Sequence, residues 1–292
     1  MASCYDAEPT DAPLKFFVIG DWGRLGSPNQ MVVANQMNTW ARNNQPKFII
    51  STGDNFYYYG VSSTDDVHWM DSFEKVYNGD QLIKVPWYVV LGNHDHLGNP
   101  KAEIQYHTKN DRWNLPANYY TRLESLPNGG KVRFVFTDTS PFEHGLYASI
   151  GEPIIALDSL RQKKWLDSVT AINDAEWKIV VGHHHIYTGG TRKNESNSVR
   201  ASLEPIFIKN KVDVYFCGHE HDLQHLKSTK GPTNYFLSGA GSDLRETGTI
   251  TETQFAASVQ GFMSVEVRRK SLQVNVVDYK GNVLYSAMLE HP

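Results

Sequence analysis

The chain has 292 residues, is 40% hydrophobic and 21% charged, and carries a formal net charge of −4. That is the composition of a globular protein able to bury a substantial core, and its mild acidity argues against a nucleic-acid partner or a polybasic membrane surface. No apolar run approaches the roughly 20 residues that cross a bilayer as a helix.

The first residues, MASCYDAEPTDAPLK, have neither the basic start nor the apolar stretch of a signal peptide, and 1–13 reads as a disordered lead-in. Cys4 follows Ala-Ser, as does the acylated cysteine at the end of a bacterial lipoprotein signal; a free thiol in a loose tail is the other reading. Cys217, inside VDVYFCG, reads as a buried small hydrophobe, and two cysteines make no disulfide framework.

From residue 14 the chain alternates. LKFFVIG (14–20), KFIISTG (47–53), WYVVLG (87–92), VRFVFTD (132–138), WKIVVG (177–182) and VDVYFCG (212–218) are short β-branched or aromatic runs that fit strands buried on both faces. Between them lie helical patterns. Residues 29–43, after Pro28, place Val33, Met37 and Trp40 on one face, and 158–172 do the same with Leu160, Trp165, Leu166 and Val169. This alternation predicts an α/β core. The last third changes character: NYFLSGAG, GFMSVEVR, SLQVNVVD and NVLYSAML, with turns at RRKS and YKGN, predict antiparallel hairpins. Residues 243–258 read as a long surface loop. No linker or repeat divides the chain, so 14–292 is expected to form a single domain.

Five of the apolar runs end in glycine and then present a metal-ligand side chain. Asp21 follows in GDWG, Asp54 in GDNFY, Asn93 and His94 in GNHD, His183 in GHHH, and His219 and His221 in GHEH. A single Gly-Asp after a strand is an ordinary turn, and a single strand histidine an ordinary hydrogen-bonded residue. Five in succession are not, because ligand sites of open α/β sheets lie beyond the carboxyl ends of the strands, where these side chains converge.

The series GD…GDN…GNHD…GH…GHxH is the signature of the calcineurin-like metallophosphoesterases. The variants GDWG, GDNFYYYGV, GNHDHLGN and GHEHDLQHL resemble the small, mammalian-type (tartrate-resistant) purple acid phosphatases, and the likeness extends through RWNLPANYY, YFLSGAG and GFMSVEV. The resemblance implies a two-sheet β-sandwich flanked by helices with an antiparallel C-terminal part. It also implies a secreted or periplasmic acid phosphatase, which hydrolyses small phosphate monoesters and releases inorganic phosphate through attack of a metal-bound hydroxide.

Most calcineurin-like enzymes begin their metal site with Asp-x-His, but the His position here is Gly23. Purple acid phosphatases substitute a tyrosinate three residues after the bridging Asp, which is Tyr57. Tyr58 and Tyr59 have no such assignment and are expected to pack. By resemblance, Asp21, Asp54, Tyr57 and His221 hold Fe(III), while Asp54, Asn93, His183 and His219 hold a divalent ion, Fe(II), Zn(II) or Mn(II). Carboxylate, phenolate and imidazole together suit a hard trivalent ion, and the mostly neutral second set a divalent one. His94 is expected to bind phosphate or protonate the leaving alcohol, with Asp95 orienting it. Relatives carry a further acidic histidine about nine residues beyond the metal-binding one; that count lands on Arg192, a candidate phosphate contact, with His184 or His185 as substitutes. Asn194-Glu195-Ser196 is a glycosylation sequon close to this site. The alternatives are a phosphodiesterase or nucleotide hydrolase on the same scaffold, and a di-iron redox protein.

Overall fold

Runs of β-branched and aromatic residues that are apolar on both faces have to be covered on both faces, and the chain does this with four layers. The computed structural model describes residues 12–127, 129–143 and 159–291; the expected lead-in, apart from its last two residues, and Cys4 lie outside them. In chain order the elements are β1 (Leu14–Ile19), α1 (Pro28–Asn44), β2 (Phe48–Ser51), β3 (Trp87–Val89), α2 (Asn93–His96), α3 (Pro100–Gln105), β4 (Trp113–Asn114), β5 (Tyr120–Ser125) and β6 (Lys131–Phe136). There follow α4 (Ser159–Thr170), β7 (Trp177–Val181), α5 (Asn197–Asn210), β8 (Val214–Cys217), β9 (Leu223–Lys227), β10 (Asn234–Ser238), β11 (Thr253–Ala257), β12 (Gly261–Val267), β13 (Ser271–Asp278) and β14 (Val283–Glu290).

The strands form two seven-stranded mixed sheets, β14-β13-β12-β1-β2-β3-β4 and β11-β9-β10-β8-β7-β6-β5. The predicted runs of the first two thirds are the parallel centres, β1-β2-β3 in one sheet and β6-β7-β8 in the other. Alternate residues of each strand face opposite ways. Phe16, Val18, Phe48 and Ile50 therefore meet Phe134, Phe136, Val181 and Phe216 between the sheets, while Phe17, Ile19 and Ile49 face outward to a second cluster. Phe16 stacks on Phe48 at 5.0 Å and meets the Phe134 ring edge-on at 5.4 Å.

The helix α1 starts where Ser27 accepts from the Gln30 amide and Pro28 takes the first turn, and it buries Val33 and Met37 as predicted, with Trp40 half-covered. In α4 the buried positions are Gln162, Leu166 and Thr170, and Leu160 is 71% exposed, against expectation. The covered face runs through i, i+4, i+8 from Gln162, and Leu160 lies off it.

Two further expectations change. Asn234–Ser238 does not join the C-terminal hairpins; it lies in the other sheet, parallel to β8 and antiparallel to β9, whereas β12-β13-β14 form the predicted antiparallel meander. The 243–258 loop contains β11, which closes the edge of β9 through a bulge between Thr253 and Phe255. Its backbone finds the open edge of a strand whose sequence, LQHLK, had read as ligand motif rather than strand. Removing the ring that both sheets share should cost most: Phe134→Ala is expected to lower stability by about 3–5 kcal/mol, measured by urea denaturation.

Candidate metal centre

The strand ends bring the predicted residues to one place. Asp21 follows β1, Asp54 follows β2, Asn93 opens the helix after β3, His183 follows β7, and His219 and His221 follow β8. Asp21 (φ 57°), Asp54 (φ 50°) and His219 (φ 71°) all have left-handed backbones, uncommon for residues with side chains. The Asp21 amide bonds the Gly53 carbonyl at 3.0 Å, tying the two exit turns together. Glycine at 218 leaves room for the Asp21 carboxylate, since a Cβ there would lie 2.3 Å from Asp21 Oδ2 and would have to push it aside.

Gly23 explains the tyrosine. A Cβ at this position would meet the Asn55 carbonyl oxygen at 1.7 Å, and the Gly23 carbonyl accepts from the Tyr57 amide at 2.8 Å. The main chain of residues 55–57 occupies the room a histidine side chain would need. Tyr57 then reaches inward: its hydroxyl is 2.9 Å from Asp21 Oδ1, 2.9 Å from Asp54 Oδ2 and 3.0 Å from His221 Nε2.

A second group adjoins the first through Asp54. His183 Nε2 is 3.4 Å from Asp54 Oδ2 and 3.1 Å from Asn93 Oδ1. His219 Nδ1 is 3.1 Å from Asn93 Oδ1 and 3.2 Å from His183 Nε2. All of these side chains are buried, and ligand atoms of Asp21, Asp54 and His183 lie within 4.8 Å of one another.

Converging buried oxygens and ring nitrogens repel unless positive charge sits among them. Burial would raise the Asp54 pKa, but His183 and His94 outweigh it and hold the carboxylate ionised, well below its usual range. Burial would likewise suppress the His183 imidazolium, but Asp54 outweighs it and lifts the pKa to about 9. The phenol of Tyr57 is pushed well above its ordinary value by burial, then by Asp21 and Asp54. The pocket attracts cations, and its two carboxylates, phenol, imidazoles and amide fit metal binding.

The family of calcineurin-like phosphoesterases matches residues 14–223. Purple acid phosphatase 3 of Arabidopsis thaliana is 35% identical, over 94% of this chain and 77% of its own length. The human tartrate-resistant acid phosphatase type 5 is 30% identical, over 97% and 93%. The chain belongs to the calcineurin-like phosphoesterases, and among them to the purple acid phosphatases. Two solved structures share the fold: GAP50, described as the anchor in the inner membrane complex of Plasmodium (TM-score 0.82, 24% identity, 96% of this chain and 90% of that one), and the yellow lupin purple acid phosphatase PPD1 (0.72, 16%, 97% and 55%).

Around the centre of this purple acid phosphatase homologue, His94 sits beside the Tyr57 ring, 4.5 Å between centroids. Its Nδ1 donates to the Tyr58 carbonyl at 2.7 Å, which leaves Nε2 facing Asp54 Oδ2 at 4.0 Å. That carbonyl orients the ring, in place of the expected Asp95. The Asp95 carboxylate instead accepts main-chain N–H groups of Gly92 (2.7 Å), Asn55 (2.9 Å) and Phe56 (3.1 Å), so it clamps the tyrosine loop to the turn after β3.

Arg192 is turned toward Glu195, its Nη1 3.4 Å from Oε2, and its amide donates to Glu220 at 2.7 Å. Sequence reasoning missed Glu195 as a partner of the centre: it accepts from His219 Nε2 at 3.3 Å, and the Thr52 carbonyl holds His183 Nδ1 at 2.9 Å in the same way. Such partners fix the tautomer and direction of ligand imidazoles. They carry no signature, because one is a loop residue and the other a main-chain atom. His184 and His185 are buried, with the His185 ring tilted against that of His219 at 5.7 Å between centroids and its pKa lowered to about 3 by burial and by His183. Tyr58 and Tyr59, expected to pack, are 61% and 75% exposed.

Just behind the site, His96 Nε2 donates to Asp138 Oδ2 at 2.9 Å, and both residues are buried. Burial opposes the imidazolium, yet Asp138 outweighs it and raises the pKa above 6.5. A proton held more tightly in the folded state stabilises fully below the unfolded value, and that stability is lost as pH rises through the folded one. Asp138→Asn is therefore expected to destabilise more at pH 5 than at pH 9 in urea titrations; equal losses would show that the pair is not charged.

Proposed function

We propose that the chain is a binuclear, iron-dependent acid phosphatase that hydrolyses phosphate monoesters and releases inorganic phosphate. The observation that carries this reading is the Tyr57 hydroxyl, within 3.0 Å of Asp21, Asp54 and His221 and supplied by a loop seated on Gly23. Asp21, Asp54, Tyr57 and His221 would hold Fe(III). Asp54, Asn93, His183 and His219 would hold Fe(II), Zn(II) or Mn(II), with Asp54 common to both. When bound, the ions supply Lewis acidity toward the phosphoryl oxygens and an activated water at acid pH.

The remaining work falls to side chains. His94, its Nδ1 committed to the Tyr58 carbonyl, presents Nε2 for a phosphate oxygen or for the departing alkoxide. Arg192 carries donors beyond those facing Glu195 and would add a phosphate contact, without serving as an acid. His185 is the weaker candidate for the acid: its ring is buried, and burial and the neighbouring His183 both disfavour its protonated form. The shared inter-sheet core supports a single domain over 14–292. Among the described residues no helix is long and apolar enough to cross a membrane.

The test joins metal analysis to a visible spectrum. The protein is expected to hold iron and show a broad charge-transfer band that Tyr57→Phe abolishes and Tyr58→Phe keeps. A colourless protein with stoichiometric iron would overturn the Tyr57 assignment. His94→Ala is expected to lower kcat for aryl phosphates at least about tenfold with metals retained, measured by steady-state kinetics; a smaller loss removes His94 from the proton transfer.

A further inference from the structure

The tyrosine loop is held at both ends by one stretch of chain, which runs from α2 through α3. At the far end the Val61 carbonyl accepts from the Asn99 amide at 2.7 Å. At the near end the side chain of Asn55, next to Asp54, is enclosed by acceptors. Its Nδ2 lies 3.0 Å from the Val90 carbonyl, 3.1 Å from Asp95 Oδ2 and 3.1 Å from Glu103 Oε2, while its Oδ1 accepts from Ser51 Oγ at 2.6 Å.

The hydrogens do not suffice for these oxygens. An amide nitrogen carries two, and three acceptors surround this one. Of the two carboxyls, Asp95 is the better supplied, because the main-chain N–H groups of Gly92, Asn55 and Phe56 also point at it. Glu103 has no exposed surface, and its Oε1 is buried with no hydrogen-bond partner among the described residues. Its main-chain carbonyl accepts from Trp113 Nε1 at 2.9 Å, which keeps this part of α3 against the loop. Burial, then Asp95 on α2 and Asp54 after β2, push the Glu103 pKa well above the ordinary carboxylate range. A proton on this carboxyl supplies the missing hydrogen: one oxygen accepts from Asn55 and the other donates to Asp95, which adjoins it.

We propose that Glu103 is a positioning residue for the metal centre, a neutral carboxylic acid that donates to Asp95, accepts from Asn55 and so fixes the backbone carrying Asp54 and Tyr57. The assignment rests on the phosphatase reading for what Asp54 and Tyr57 bind, and the proton on Glu103 is tested apart from it. Glu103→Gln keeps a donor and an acceptor without needing that proton. A carboxyl with a raised folded pKa stabilises fully below its unfolded value, and that stability is lost as pH rises through the folded one. Glu103→Gln is therefore expected to gain on wild type between pH 5 and pH 8, by up to about tenfold in the unfolding equilibrium per pH unit, in urea titrations at equal metal content. A gap that stays constant or narrows as pH rises shows an ionised Glu103 and overturns the assignment, whatever metal is bound.

Positioning is read from iron retention against a competing chelator. Glu103→Gln is expected to keep its iron and its visible band as wild type does, whereas Glu103→Leu is expected to hold iron about tenfold more weakly, the usual cost of losing a partner behind a ligand. Unchanged retention in Glu103→Leu, or an equal loss in Glu103→Gln, overturns the positioning role. Wild-type protein that takes up no iron fails the phosphatase reading, and the pH-dependent gap still decides whether Glu103 carries its proton.

Discussion

The structure is organised around the mutual approach of two buried carboxylates. Asp21 and Asp54 stand at the ends of adjacent parallel strands, fully enclosed, with a phenol between them and imidazoles on either side. Burying such charge costs several kcal/mol per ion unless opposite charge accompanies it. The surroundings supply the means to hold that arrangement: left-handed exit turns, a glycine at 218 that lets Asp21 come close, and main-chain donors on the carboxylates themselves. A site so assembled is poised for cations, and the strain in its turns is supported by the core beneath.

The core explains why the turns hold. Trp22, next to Asp21, donates to Ser51 at the end of β2 and packs among Phe56, Tyr77, Trp87 and Trp113. Asn55, next to Asp54, bonds Ser51, the Val90 carbonyl and Asp95. Each ligand-bearing turn thus has a neighbour locked into the interior. Asp95 belongs to this set: its carboxylate fastens three main-chain amides and so acts on the geometry of the tyrosine loop rather than on the His94 ring. The loop in turn orients His94 through the Tyr58 carbonyl.

The three consecutive tyrosines have three different fates. Tyr57 faces the cluster, Tyr58 holds His94 with its carbonyl while its ring is largely exposed, and Tyr59 points to solvent. One short loop therefore supplies a hydroxyl to the polar centre, a carbonyl to His94 and two exposed rings to the surface. Arg24, stacked on the Tyr57 ring and paired with Asp243, connects the loop after β1 to the segment after β10.

Sequence alone determined the strand-end series, because metal ligation demands particular side chains and the glycine-terminated runs announce where parallel strands stop. Val33, Met37 and Leu166 were legible for a similar reason: helical periodicity is written in consecutive residues. Tertiary structure decided what depends on contacts distant in the chain. The sheet to which Asn234–Ser238 belongs, the pairing of β11 with β9 and the exposure of Leu160 follow from which edges and faces remain uncovered once the rest has packed. Glu195 on His219, the Thr52 carbonyl on His183 and the Tyr58 carbonyl on His94 are single hydrogen bonds across the fold, two of them made by main-chain atoms common to every residue type. No residue pattern encodes such contacts; they exist only where packing brings donor and acceptor within reach.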